Sequence, residues 1–115
     1  MKLIPAAVAL AVMLLAQPLL AHTKLSSSNP ADGSTVNALP EIQLEFSAAV
    51  RLTAVILESS AGAEVGLGPI PGETATAYTI ALKDVLAPGE YLITWRSVSG
   101  DSHIVSGEIR FSVAD

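Results

Sequence analysis

Polar and apolar residues alternate in most of the short segments that lie between turn-forming residues after position 40. Successive side chains of a strand point to opposite faces, so this alternation predicts strands with one buried and one exposed face. Beyond the apolar first 21 residues, no segment of ten or more residues has convincing helical periodicity. The predicted strands are residues 41–47, 51–58, a short strand around Val65, 77–83, 91–98 and 104–113.

Segments rich in glycine, proline and serine separate these strands and predict turns and surface loops. We expect 26–34 to be a loop and 59–73 to wind along the surface. The turn at Pro88 and Gly89, just before Tyr91, has the spacing of the tyrosine corner found in Greek-key sandwiches. Short alternating strands joined by such turns favour an all-β fold, either an antiparallel sandwich or a small barrel.

The start of the chain has the composition of a secretory signal peptide: a positively charged beginning, an apolar run over 5–15 and the small residue Ala21 at the expected cut. A membrane anchor is the alternative. The segment is near the lower limit of about 17–25 residues for a spanning helix and contains two prolines, which favours cleavage. We therefore expect residues 1–21 to be a signal peptide and 22–115 to be a single exported domain, with Ala16 as a competing cut.

Charge and sulfur content narrow the possible functions. The chain has 11 acidic and 6 basic residues, a formal net charge of −5. This balance argues against binding nucleic acid or anionic lipid surfaces, which both need basic patches. No apolar run after the leader is long enough to span a membrane, so we expect a soluble product. Cysteine is absent and both methionines, Met1 and Met13, lie in the leader, which excludes sulfur-based Cu(I) sites.

The two histidines of the chain stand where they could share a metal ion. Asp101 and His103 are two residues apart, and in extended backbone such side chains point to the same face, roughly 6.5–7 Å apart. Cleavage before His22 would give that residue a free α-amine beside its imidazole. These groups supply three nitrogens and one oxygen, which suits tetragonal Cu(II), although zinc would accept the same set in a tetrahedron. We expect one Cu(II) per chain.

Each candidate ligand also has a purely structural explanation. A histidine at a mature terminus is commonly a mobile surface residue, and Asp-x-His occurs by chance in loops. Asp101 follows Gly100, where an aspartate often accepts hydrogen bonds within a turn. The metal interpretation depends on the combination of two positions: His22 lies at the expected cut, and His103 lies two residues after the carboxylate of Asp101.

Several short motifs stand together with the expected leader that ends before His22. These motifs are Ser-Asn-Pro-Ala-Asp-Gly at 28–33, Leu-Glu-Phe-Ser at 44–47, Leu-Ala-Pro-Gly-Glu-Tyr at 86–91, Trp-Arg-Ser-Val-Ser at 95–99, Gly-Asp-Ser-His at 100–103, Gly107 and Phe111. In these motifs the chain resembles the CopC family of periplasmic copper-binding proteins, over essentially all of its expected mature length.

This resemblance implies an immunoglobulin-like Greek-key β-sandwich with a Cu(II) site formed by His22, Asp101 and His103. It also implies a role in copper supply or resistance beside a CopD-type inner-membrane protein. The chain lacks the methionine-rich Cu(I) site of some members, so it resembles the Cu(II)-only type. Many members have a glutamate after the Phe-Ser pair, where this chain has Ala48, and a glycine where it has Ser102.

Our leading hypothesis is a monomeric periplasmic Cu(II) carrier or buffer without enzymatic activity. One alternative is a copper-dependent oxygenase, since such enzymes also use an N-terminal histidine chelate and a second histidine on a β-sandwich. The short mature chain, its few aromatic residues and Asp101, which could occupy the position that oxygen needs, argue against it. The other alternative is a sandwich that binds a protein partner and no metal.

Overall fold

The computed structural model describes residues 24–115, and within these residues all regular secondary structure is β-strand. The predicted signal peptide, residues 1–21, and His22 lie outside the described residues. Within 24–115 no helix is long and apolar enough to cross a membrane. The strands are β1 (Leu25–Asn29), β2 (Ser34–Val36), β3 (Glu41–Ser59), β4 (Glu64–Val65), β5 (Ala75–Ala81), β6 (Gly89–Ser99) and β7 (Ile104–Val113).

Strand β3 has 19 residues and pairs with different strands along its two halves. Its first half is antiparallel to β1 over Gln43–Phe46 on one edge and to β5 over Glu41–Glu45 on the other. Its second half, from Val50 to Ser59, is antiparallel to β6, and its end also pairs with β4. Strand β6 then pairs with β7, and β7 pairs in parallel with the short β2. The single sheet therefore curls into two facing layers that share β3.

Aromatic side chains fill the space between the two layers. The ring of Phe46 on β3 meets Trp95 on β6 edge to face, with ring centroids 5.2 Å apart, and meets Tyr78 on β5 in the same way at 6.3 Å. Tyr91 stacks on Phe111 at 5.5 Å. The contact of Phe46 with Trp95 joins the layers, and the all-β sandwich that the pattern predicted is confirmed. The buried apolar residues are Leu39, Ile42, Leu44, Phe46, Val50, Leu52, Leu57, Tyr78, Ile80, Leu86, Tyr91, Ile93, Trp95, Ile109, Phe111 and Val113.

The predicted tyrosine corner is present at the start of β6. The hydroxyl of Tyr91 donates a hydrogen bond to the backbone carbonyl of Ala87, four residues earlier, at 2.6 Å. Gly89 lies between them with φ at 143°, a conformation that other residues rarely adopt. The bond ties the turn to the strand entry, and it satisfies a hydroxyl that burial would otherwise leave without water.

Two local predictions are wrong. Residues 41–47 and 51–58 were expected to form separate strands, but they form the continuous β3. No glycine, proline, asparagine or aspartate lies between Pro40 and Gly62, so nothing in the chain forces a turn, and β3 changes its partners instead.

The second error concerns 26–34, which was expected to be a loop. Its first part belongs to β1, and Ser34 begins β2. The edges of β3 and β7 supply the backbone partners that override the turn-forming composition. Because β2 is parallel to β7, the sandwich is also not purely antiparallel.

We expect Gly107→Ala to destabilise the fold. Gly107 lies opposite Trp95 in the β6–β7 pair, and an added Cβ would lie 2.8 Å from Cζ2 of the indole. Overpacking of this kind costs about 1–3 kcal/mol, which urea denaturation would measure as a lower free energy of unfolding. The control is Gly72→Ala, because a Cβ there meets nothing within 4 Å. Equal stability of the two variants would contradict the prediction.

Candidate metal centre

The turn between β6 and β7 carries the acidic and imidazole side chains singled out in the sequence. The paired strands end at Val98 opposite Ile104, and two backbone bonds close the turn beyond them. The amide of Ser99 donates to the carbonyl of His103 at 2.9 Å, and the amide of Ser102 donates to the carbonyl of Ser99 at 2.9 Å. The turn is therefore a continuation of the β6–β7 hairpin and has a defined backbone.

Ser102 occupies a backbone conformation that favours glycine. Its φ is 68°, in the left-handed region, where a residue with a Cβ loses roughly 1–2 kcal/mol. This conformation lets the chain reverse between Asp101 and His103. It also explains physically why glycine suits this position in many members of the CopC family. Serine adopts the same conformation here, and Asp101 and His103 remain two residues apart.

The structure brings Asp101 and His103 into direct contact. Oδ2 of Asp101 lies 2.8 Å from Nδ1 of His103, a hydrogen-bonding distance, and the pair forms a salt bridge when the imidazole is protonated. Both side chains remain open to solvent, His103 by 68% and Asp101 by 63%. A carboxylate oxygen and an imidazole nitrogen thus converge at an accessible surface, as a metal ion requires.

Ser99 also belongs to this site, although the sequence reading did not single it out. Its hydroxyl donates to Oδ1 of Asp101 and lies 3.2 Å from the carbonyl of His103. The side chain is buried, whereas its two neighbours at the site are exposed. The alternation of β6 could have indicated this, because residue 99 continues the inward positions of Tyr91 and Trp95.

These contacts lower the pKa of Asp101 from its ordinary value of 3.8 to about 2. The largest cause is the hydrogen bond from the Ser99 hydroxyl, followed by the hydrogen bond with the His103 ring, since both stabilise the charged form. Asp101 is consequently a carboxylate at any pH above about 3. An anionic oxygen is the form that a divalent cation binds.

His22 lies outside the described residues. The first described residue, Lys24, lies near the part of the fold that holds Asp101 and His103. The amide of Lys24 donates to Oγ of Ser47 at 3.0 Å, and the amide of Ser47 donates to the carbonyl of Lys24 at 2.8 Å. Three residues further along β3, Val50 pairs with Ser99. The beginning of the described chain and the β6–β7 turn therefore meet the same short segment of β3.

Within 24–115, no group of three His, Cys, Asp or Glu side chains could hold a metal ion. Ala48, where the resembling family often has glutamate, is exposed on β3 and offers no donor atom. The described part of the site is therefore two side chains, and a complete coordination sphere needs donors from elsewhere.

The family of the chain follows from comparison with known proteins. The model of the CopC domain matches residues 25–114. The chain belongs to the CopC family. Copper resistance protein C of Xanthomonas campestris pv. juglandis is 35% identical over 108 residues, covering 81% of this chain and 80% of that protein. Copper resistance protein C of Escherichia coli is 32% identical over 112 residues, covering 89% of each.

Solved CopC structures have the same fold. PcoC, a methionine-rich copper resistance protein from Escherichia coli, superposes with a TM-score of 0.69 at 32% identity, covering 81% of this chain and 99% of that one. CopC from Methylosinus trichosporium OB3b superposes with a TM-score of 0.66 at 26% identity, covering 81% and 94%. Unlike the methionine-rich PcoC, this chain has no methionine after Met13.

Membership in the CopC family makes this a copper-related resistance protein and not an enzyme. The family binds copper, and the oxygen and nitrogen donors of Asp101 and His103 are of the types that Cu(II) accepts. The recognition of the family from its motifs is confirmed, and the oxygenase alternative has no support from the relatives.

We expect the pKa of the Asp101 carboxyl group to lie well below its ordinary value of 3.8 in the metal-free protein. Because its pKa is lowered on folding, it stabilises the fold above pH 3.8, and this contribution is lost as the pH falls through about 2. A ¹³C NMR titration of the side-chain carboxyl should show the low midpoint. Between pH 4 and pH 2 the wild type should lose more unfolding free energy than Asp101→Asn. A midpoint near 3.8 would contradict this assignment.

Proposed function

We propose that this CopC-family protein is a periplasmic Cu(II)-binding protein that carries or buffers copper. The observation that supports this most directly is the exposed Asp101–His103 pair on the closed β6–β7 turn. A carboxylate and an imidazole that already lie 2.8 Å apart need little rearrangement to bind one ion. Their exposure suits a protein that must both take up and release its metal.

His22 completes the ligand set in this proposal. After cleavage of residues 1–21, its α-amine and imidazole can chelate one ion together, and they add to the oxygen of Asp101 and the nitrogen of His103. His22 stands two residues before Lys24, and an extended chain spans about 7 Å over that distance. Lys24 is bonded to Ser47, three residues before the Val50 that pairs with Ser99, which supports the proposal that His22 belongs to this site.

The donor set favours Cu(II) over other ions. Sulfur donors, which Cu(I) prefers, are absent after Met13, and Cu(II) heads the affinity order of divalent metals for nitrogen and oxygen ligands. Zinc is the main competitor, because it accepts the same atoms in tetrahedral geometry. Oδ1 of Asp101 is held by Ser99, and Oδ2 shares a hydrogen with the His103 ring, so an ion bound by Oδ2 would displace that hydrogen.

A single exposed site per chain is consistent with a monomer that passes copper to a membrane protein. We propose a CopD-type inner-membrane importer as the recipient, and the periplasm as the compartment that the leader indicates. Transfer would proceed by exchange of ligands, since groups from the recipient can approach an ion bound at this surface.

Replacing His103 by Ala should reduce the affinity for Cu(II) by more than about 100-fold. Loss of a residue that only supports a metal ligand costs up to about 100-fold, and loss of a ligand itself should cost more. His22→Ala should have a similar effect, and Asp101→Ala a smaller one. Competition titrations with a chromophoric Cu(II) chelator would measure this, with Asp84→Asn as the control because Asp84 is an exposed acid outside the site. If the correctly processed wild type had negligible Cu(II) affinity, a sandwich for protein interaction alone would be favoured.

Adding one residue before His22 should weaken Cu(II) binding about as much as His22→Ala. The extension leaves the imidazole in place but moves the free amine out of chelating range, so it tests the terminal chelate alone. The control is the same preparation after a protease has removed the extra residue and restored His22 as the terminus. Unchanged affinity in the extended protein would refute the terminal chelate while leaving Asp101 and His103 as possible ligands.

A further inference from the structure

The inward face of β6 changes from apolar to polar as it approaches the metal site. Tyr91, Ile93 and Trp95 belong to the core, whereas Ser97 and Ser99 follow them on the same face and are also buried. A buried hydroxyl costs free energy unless it is hydrogen-bonded. The partners of these two serines therefore show what each hydroxyl does.

The two hydroxyls have different partners. Oγ of Ser97 lies 3.3 Å from the backbone carbonyl of Val105, across the hairpin and away from the turn. Oγ of Ser99 reaches the carboxylate of Asp101 and the carbonyl of His103. Ser97 thus supports the strand pair, while Ser99 contacts both residues that we assign to copper.

The Ser99 hydroxyl has one proton, and the shorter of its two contacts is to Oδ1 of Asp101. A hydrogen bond to an ionised acceptor is stronger than one to a neutral carbonyl, so the carboxylate is the favoured acceptor. With Oδ1 held, Oδ2 faces Nδ1 of His103. The order of contacts runs from the buried Ser99 through Asp101 to His103.

We propose that Ser99 is a positioning residue for copper, which rests on the function proposed above. It holds the exposed Asp101 carboxylate in one rotamer, and through it the His103 ring, before the ion arrives. An exposed aspartate without such an anchor exchanges among staggered rotamers, and copper binding would then have to select the competent one. The buried strand β6 thereby stabilises the geometry of a site that lies in solvent.

The test compares Ser99→Ala with Ser97→Ala and Ser99→Thr. Removing the Ser99 hydroxyl should weaken Cu(II) binding by about 10-fold. This is the lower end of the effect of residues that support a metal ligand, and we expect it because the site is exposed. It should also change the hyperfine splitting in the Cu(II) EPR spectrum. Ser97→Ala removes a buried hydroxyl from the same face of β6 and should leave affinity and spectrum as in the wild type. Ser99→Thr keeps a hydroxyl and suits a strand, so it should restore most of the affinity.

A second measurement uses the metal-free protein. NMR couplings that report the χ1 angle of Asp101 should show one rotamer in the wild type and an average over rotamers in Ser99→Ala. If the rotamers of Asp101 differ between the two proteins in this way but the wild type fails to bind Cu(II), the proposed function and the copper role of Ser99 are both refuted. The anchoring of Asp101 by Ser99 would still stand. Normal wild-type binding with an unchanged Ser99→Ala affinity would overturn the positioning role. Equal losses in Ser99→Ala and Ser97→Ala would also overturn it, since both would then reflect general loosening of β6.

Discussion

Backbone pairing along the continuous strand β3 is the constraint on which the rest of the structure depends. Over 19 residues it pairs first with β1 and β5, and then with β6 and β4, so it belongs to both layers of the sandwich. The hydroxyl of Tyr78 secures the changeover, because it accepts from the amide of Leu52 at 3.3 Å and its one proton lies between the carbonyls of Val50, at 2.7 Å, and Glu73. A shift of register there would displace both layers and the turn beyond β6.

The candidate metal centre lies at the end of the sandwich where β3 changes partners. Val50 pairs with Ser99, and Ser47 holds the backbone of Lys24, so the β6–β7 turn and the first described residue are fixed to one segment. The site is therefore supported by the most constrained strand of the fold although its donor atoms are exposed. This combination gives the candidate site a defined backbone and leaves its donor atoms accessible from solvent.

Charge and donor type give this member of the CopC family its own character. The chain is acidic overall, which attracts cations and disfavours polyanionic partners. Its relative PcoC is methionine-rich, whereas the side-chain donors of this chain after Met13 are nitrogen and oxygen. Nitrogen and oxygen donors suit Cu(II) better than Cu(I), which is consistent with the proposed carriage or storage of copper.

The sequence by itself determined the elements whose signal is local. Alternation over 77–83, 91–98 and 104–113 predicted strands and their buried faces because side-chain direction in a strand follows a period of two, and the Pro88-Gly89 turn identified the Tyr91 corner. The two-residue spacing of Asp101 and His103 predicted that they would converge in extended backbone, but they lie in a turn, and the left-handed conformation of Ser102 between them accompanies their contact instead. Tertiary structure alone decided what depends on distant partners. The unbroken β3 and the strands formed by residues 25–29 and 34–36 arise from pairing between segments far apart in the chain, which no local pattern of residues encodes. Ser99 and Asp101 are close in the chain, but their contact depends on the turn that closes the β6–β7 pair.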